Sequence, residues 1–164
     1  MHRDAEDAGL ACRDRTEGPA SGRYWFAGAL VIVHVRAAHG HGPLGVWESV
    51  ESRGSRLPLH THHREDEQVV LLDGRINFWV GDRMRRLRSG DAVALPRGVP
   101  HAHRVTSDTA RILTIATPGG FERLFTDHGV PALPGTTPPE RPDDAILAAA
   151  VGALGVQIIG PPPG

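Results

Sequence analysis

Short runs of β-branched and aromatic residues alternate with glycine and proline turns along most of this chain. The runs start with YWFAGALVIVHV at residue 24, continue through QVVLL, RINFWV and AVALP, and end with ARILTIAT at residue 117. These residue types favour the pleated surface of a strand, and turns at such close intervals leave no room for long helices. The pattern predicts an all-β sandwich or barrel, with the jelly roll as the leading candidate.

Charge and hydrophobicity restrict the range of partners. The 164 residues carry 18 basic and 19 acidic side chains, so a net charge of -1 gives no electrostatic basis for binding nucleic acid. The arginine-rich stretch RMRRLR, residues 83–88, is predicted to be the exposed face of a strand. No apolar run is long enough to cross a bilayer, and the first residues lack the apolar segment of a signal peptide. We therefore expect a cytoplasmic protein with no membrane partner.

Composition divides the chain into three parts. Residues 1–22 are polar and charged, and they are predicted to form a flexible arm in which Cys12 is a free thiol. Residues 23–128 contain the strand pattern and form the barrel domain. Residues 129–164 begin with a proline-rich linker, VPALPGTTPPERP, that is expected to have no regular structure.

A helix and a tail are predicted after this linker. The stretch DDAILAAAVGALG has a capping residue, Asp143 or Asp144, at its start and Gly155 at its end. The final VQIIGPPPG is predicted to be a short strand or a tail.

The stretch PLHTHHREDEQ, residues 58–68, concentrates histidines and acids. Because alternate residues of a strand point to the same face, His60 and His62 would project side by side. Glu67 follows a turn, and His101 begins a strand after the PRG turn, so both could reach the same interior. Three neutral imidazoles and one carboxylate suit a divalent transition metal and leave positions open for water, dioxygen or substrate.

The Asp73-Gly74 pair is the best hairpin signal in the chain. His63, Glu65 and Asp66 are predicted to form a solvated rim. A hairpin at Asp73-Gly74 places three pairs of residues on one face: Leu71 opposite Ile76, Val69 opposite Phe78, and Glu67 opposite Val80. The five apolar residues of these pairs are predicted to line a substrate pocket beside Glu67, although a plain core would use the same residues.

His103 lies two residues beyond His101 and should point the same way. Two interpretations remain open for it. In one, it is a candidate catalytic acid or base that faces the substrate, because imidazole titrates near neutral pH. In the other, it is a barrel-lining histidine held by a neighbour, and we favour this one because the sequence identifies no charged partner for it.

Two motifs resemble those of the cupin superfamily. The first motif of that family contains Gly, His-x-His, Glu and Gly at fixed spacing, and the second contains Gly, Pro-x-Gly, His and Asn. The matching residues here are Gly54, His60, His62, Glu67 and Gly74 for the first, and Gly90, Pro96, Gly98 and His101 for the second. Val105 stands where the second motif usually has Asn, a position that holds no metal.

The segments WVGDR, PRGVPHAH and TPGGFERLF are similar to those of small quercetin-dioxygenase-like cupins. The resemblance implies a cupin double-stranded β-helix with short C-terminal helices. It also implies one ion of Fe, Mn, Ni or Zn bound by His60, His62, Glu67 and His101, with Glu67 as both ligand and catalytic acid/base. It further implies a homodimer, in which residues 24–35 could pair with the partner's sheet edge.

The resemblance does not fix the reaction. A quercetinase-like dioxygenase acting on a small enolic, phenolic or polyketide-like substrate is the leading hypothesis. A redox-neutral metal-dependent lyase, cyclase or isomerase would use the same ligands. A cupin that binds a small ligand without turnover is the alternative from another class.

Overall fold

A computed structural model describes residues 22–37, 42–140 and 143–163 of the chain. The predicted arm up to residue 21, with Cys12, therefore lies outside the described residues. In chain order the elements are β1 (Arg23–Phe26), β2 (Ala29–Val35), β3 (Gly45–Ser52), β4 (Leu59–His62), β5 (Asp66–Asp73), β6 (Arg75–Val80), β7 (Arg83–Arg88), β8 (Ala92–Leu95), β9 (His101–Val105), β10 (Thr109–Thr117), α1 (Arg123–His128), β11 (Val130–Pro131), α2 (Asp144–Ala153) and β12 (Val156–Gly160).

The strands form two antiparallel sheets that face each other. The larger sheet has the order β11-β1-β2-β3-β10-β5-β8, and the smaller has the order β12-β4-β9-β6-β7. The predicted all-β barrel with short helices is therefore confirmed. None of the helices in the described ranges is long and apolar enough to cross a membrane.

The first apolar run, YWFAGALVIVHV, forms a hairpin of two strands, β1 and β2. Its turn is Ala27-Gly28, and both residues have positive φ, 50° and 86°. Such a pair matches the twist of a tight hairpin, so the chain reverses within the apolar run. Strand β2 is bonded on both sides, to β1 and β3, and β11 pairs with Tyr24 and Trp25 of β1, so these residues already have strand partners within the chain.

The hairpin register predicted at Asp73-Gly74 is wrong. Strand β5 pairs with β10 and β8, whereas β6 pairs with β9 and β7, so the chain passes from one sheet to the other at this turn. Gly74 has a φ of 97°, and a Cβ there would overlap the Thr109 carbonyl oxygen. The local turn signal is real, but tertiary pairing decides which strands become neighbours.

The C-terminal residues complete the smaller sheet. Asp143 caps α2 by accepting a hydrogen bond from the Ala145 N–H at 2.8 Å, and Gly155 follows the helix with a φ of 84°. Strand β12 then pairs with β4, so Val156–Gly160 of the final stretch form a strand. The expectation that the linker has no regular structure is wrong at its start, because Val130–Pro131 form the two-residue strand β11, paired with β1.

Apolar side chains fill the barrel in two clusters. One cluster is centred on Leu71, Ile76 and Ile112, and the other on Trp47, Phe121 and Phe125. Phe121 also packs against the His62 ring, with 4.7 Å between ring centroids. The clustered histidines therefore lie against the core.

Candidate metal centre

Three imidazoles meet on the inner face of the smaller sheet. His60 and His62 alternate along β4, and His101 on the neighbouring strand β9 is paired in register with His60. One ring nitrogen from each of the three lies within 4.8 Å of the others. All three residues are buried, as strand alternation predicted for this face.

Hydrogen bonds fix the orientation of two of these rings. His60 Nδ1 lies 2.8 Å from the Pro58 carbonyl oxygen, and His101 Nδ1 lies 3.0 Å from that of Val99. A carbonyl oxygen only accepts, so each Nδ1 carries the proton. In the neutral ring this leaves the Nε2 lone pair free, which is the form that binds a metal.

Glu67 reaches the imidazoles from the opposite sheet. It lies on β5, and its Oε2 is 3.8 Å from His62 Nε2 and 3.6 Å from His101 Nε2. The residues converge across the barrel interior and not across a hairpin, because β4 and β5 belong to different sheets.

Two loop contacts hold the two histidine-containing motifs together. The Gly98 N–H donates to the His62 carbonyl oxygen at 2.8 Å. The Arg97 N–H donates to Asp66 Oδ1 at 2.8 Å, and its guanidinium donates to Asp66 Oδ2 at 2.7 Å. The turn that precedes His101 is thereby attached to the end of the first motif.

The donor set fits a divalent transition metal. Within the described residues, the buried His101 Nε2 has no hydrogen-bond partner. A buried acceptor without a partner is costly, and a cation at the centre of the three nitrogens and the carboxylate would satisfy it. Three imidazoles and one carboxylate could hold Fe, Mn, Ni or Zn.

Burial controls the protonation of the ligands. Burial, together with the neighbouring His101, lowers the pKa of His60 to about 3, and burial lowers the pKa of His101 to about 4. Both rings are therefore neutral at neutral pH. Burial alone would lower the pKa of His62, but the Glu65 and Glu67 carboxylates raise it above its ordinary value. Burial also raises the pKa of the Glu67 carboxyl.

A cavity of about 820 Å³ adjoins the four residues. Its walls are largely apolar, and they come from both sheets, from the segment around α1 and from the C-terminal helix and strand. The apolar residues in its wall include Val69, Phe78, Leu95, Ile112, Phe121, Phe125, Leu147, Val151 and Ile158. Such a cavity suits a small organic molecule.

Two of the five predicted pocket residues line the cavity. Val69 and Phe78 line the cavity. Leu71 and Ile76 are fully buried in the core and are not part of the cavity wall, and Val80 packs, partly buried, against the core. All five pack together in one core cluster, across the two sheets and not in a hairpin, and Val69 and Phe78 are the two that also reach the cavity.

A second polar group lies in the cavity wall. His103 Nε2 is 2.9 Å from Glu51 Oε2, and Ser49 Oγ donates to Glu51 Oε1 at 2.9 Å. His103 points inward with His101, as predicted. The sequence identified no charged partner for His103, because Glu51 is distant in sequence and carries no motif.

Glu65 is buried, with 2% of its surface exposed, so its predicted place in a solvated rim is wrong. Its neighbour His63 is exposed. Glu65 folds inward, and its Oε2 lies 3.5 Å from His62 Nδ1. The sequence offered one signal for this contact, an acidic residue three positions after His62. Acidic residues in a polar turn usually face solvent, so this signal alone does not predict burial.

Known proteins match both the sequence and the fold. Residues 46–116, which include all four candidate ligands, match the cupin domain family. The chain is 30% identical to quercetin 2,3-dioxygenase of Bacillus subtilis (strain 168) over 112 residues, which are 66% of this chain and 32% of that protein. It is 28% identical to the protein of the same name from Aspergillus japonicus over 140 residues, which are 82% of this chain and 35% of that protein. The chain thus spans about a third of the length of these curated relatives.

A solved structure supports the fold assignment. KdgF from a Halomonas species superposes with a TM-score of 0.51 at 20% identity, over 56% of this chain and 79% of that one. This similarity concerns the barrel and not the chemistry. The matched domain, the sequence relatives and the two-sheet barrel agree, and the chain belongs to the cupin superfamily.

Proposed function

We propose that this protein is a metal-dependent cupin enzyme, a quercetinase-like dioxygenase that acts on a small enolic, phenolic or polyketide-like molecule. One observation carries the proposal: three histidines and Glu67 converge in the wall of a largely apolar cavity. The names of the two curated relatives favour dioxygenase chemistry. The remaining expectations, a homodimer in the cytoplasm without a nucleic-acid partner, stay predictions.

In this proposal the chain's own residues have distinct roles. His60, His62, Glu67 and His101 hold the ion, which when bound would anchor an enolate oxygen and promote its reaction with dioxygen. Glu67 accepts the proton of the enolic hydroxyl, because its carboxylate lies in the cavity wall beside the imidazoles. The apolar walls exclude water from the reacting molecule.

A redox-neutral lyase, cyclase or isomerase is the second candidate. It is favoured by the Glu51–His103 pair, which gives the cavity a proton-handling group besides Glu67. Here His103 donates or accepts the proton while Glu51 holds its ring. Binding without turnover is the third outcome that an assay must separate.

Oxygen uptake distinguishes these candidates. The protein is loaded separately with Fe²⁺, Mn²⁺, Ni²⁺ or Zn²⁺ and mixed with quercetin or other enolic compounds, while dioxygen and products are measured. The dioxygenase predicts uptake of one dioxygen molecule per substrate molecule consumed and no reaction without oxygen. His60→Ala should abolish turnover, whereas the matched control His63→Ala should not, because His63 is exposed. Equal turnover under anaerobic conditions would rule out the dioxygenase, and binding without turnover would rule out both enzymes.

A further inference from the structure

Glu65 is a buried residue, and one of its carboxylate oxygens lacks a hydrogen bond to any residue that the structure describes. It lies in the turn after β4, and within the described residues its buried Oε2 has no hydrogen-bond partner. The nearest ring nitrogen, His62 Nδ1, is equally buried and also lacks a partner there, and the two atoms are 3.5 Å apart. This separation is longer than an ordinary hydrogen bond. Leaving both groups unpaired in the interior would be costly.

The three histidines differ in what holds their outer nitrogen. His60 and His101 each bond the carbonyl oxygen of the residue two positions earlier. His62 faces a carboxylate instead. A carboxylate accepts a stronger hydrogen bond than a carbonyl and carries a full charge, so it makes the ring a better metal donor.

The charges of the buried acidic residues also favour a role for Glu65 at the metal centre. Glu65 and Glu67 are both buried, and in the described part of the chain their ion-pair contacts come only from imidazoles. Arg97 acts on Glu65 only electrostatically, and two buried carboxylates whose direct partners are imidazoles are unfavourable. A divalent cation at the ring nitrogens would balance both charges.

We propose that Glu65 is a positioning residue of the metal centre, which accepts a hydrogen bond from His62 Nδ1–H and so directs the lone pair of His62 Nε2 to the ion. This inference rests on the proposed metal centre. It makes His62 the most strongly donating of the three imidazoles, and it makes the bound centre electrically neutral with Glu65 and Glu67 as its two anions. Glu65 does not touch the ion itself.

Zinc affinity of the metal-free protein tests the proposal. Zn²⁺ is titrated against a chromogenic chelator into wild type, Glu65→Gln and Glu65→Leu. Loss of such a partner typically weakens metal binding by about 10–100-fold. We expect Glu65→Leu to show this loss and Glu65→Gln, which keeps an acceptor oxygen without the charge, to fall between it and wild type. The matched control is Asp108→Asn, which removes an exposed carboxylate and should stay within about twofold, because Asp108 bonds Arg53 away from the candidate ligands.

A second readout separates donor strength from packing. The visible absorption bands of the Co²⁺-loaded protein report the ligand field and should shift in Glu65→Leu but not in Asp108→Asn. If Glu65 only fills space, Glu65→Leu will bind Zn²⁺ like wild type and keep the wild-type Co²⁺ spectrum, and the inference is overturned. If wild type itself binds no Zn²⁺, the proposed metal centre fails together with the inference, and this outcome differs from the first.

Discussion

Glu51 and His103, which are 52 residues apart in the sequence, meet in the cavity wall with 2.9 Å between Oε2 and Nε2. Glu51 lies on the larger sheet and His103 on the smaller, so this contact joins the two sheets beside the candidate metal ligands. Ser49 donates to the other Glu51 oxygen. The carboxylate is therefore oriented from both sides, and it fixes the ring of the inward-facing histidine.

Replacing Glu51 tests whether this pair handles protons. If His103 is an acid or base in the reaction, His103→Gln should lower kcat by roughly 10²–10⁴-fold, the usual contribution of such catalysis. Glu51→Gln should lower kcat by a smaller factor with little change in KM, because the ring stays but loses its charged partner. The matched control is Glu48→Gln on the same strand, since Glu48 bonds His34 and Arg111 instead. Unchanged kcat in His103→Gln would leave His103 as a barrel-lining residue.

Metal removal should lower the stability of the protein. A ligand that binds only the folded state adds about 2.7 kcal/mol when its free concentration is about 100 times Kd. We expect a chelator to lower the melting temperature of wild type and of His63→Ala. His101→Ala should melt at the same temperature with and without the chelator, because it has lost one of the convergent nitrogens. A chelator effect that persists in His101→Ala would place the ion elsewhere.

The sequence predicted the fold class and the convergence of the histidines because both depend on local rules. Alternation along a strand places His60 and His62 on one face, and Gly and Pro turns mark the strand ends. Motif spacing added His101 and Glu67. Each of these inferences needs only neighbouring residues or a recognisable pattern.

Strand partners and buried polar groups could not be predicted in this way. The turn at Gly74 looks like a hairpin turn, but whether its flanking strands pair depends on the closure of two sheets. Glu65 and Glu51 have the composition of exposed residues, and only the folded structure brings each to a histidine. Long-range contacts determine both features, and a single sequence carries no direct signal of them.

The division between cavity and core predicts different effects for two apolar residues. Leu71 is fully buried outside the cavity wall, so Leu71→Ala should cost about 2–5 kcal/mol of unfolding free energy and leave KM unchanged. Phe78 lines the cavity, so Phe78→Ala should also raise KM, by about 10-fold or more if the substrate loses an apolar contact. Chemical denaturation and steady-state kinetics measure the two effects. A raised KM in Leu71→Ala would contradict the placement of Leu71.

The lowered pKa values of two histidines predict acid sensitivity of the metal-free protein. Burial lowers the pKa of His101 from 6.5 to about 4, so below pH 6.5 the unfolded chain takes up a proton that the folded chain does not. Stability therefore falls as the pH decreases from 6.5 to about 4, and each tenfold difference in proton affinity between the two states corresponds to about 1.4 kcal/mol. His60 acts in the same direction, whereas the raised pKa of His62 opposes it in part.

In chelator-treated samples, His101→Gln should lose less stability across this range than wild type, because its side chain does not titrate. The exposed His63→Gln is the control and should keep the wild-type dependence of stability on pH. The same dependence in His101→Gln would contradict the prediction, because it would show that His101 is not the residue that resists protonation in the folded chain.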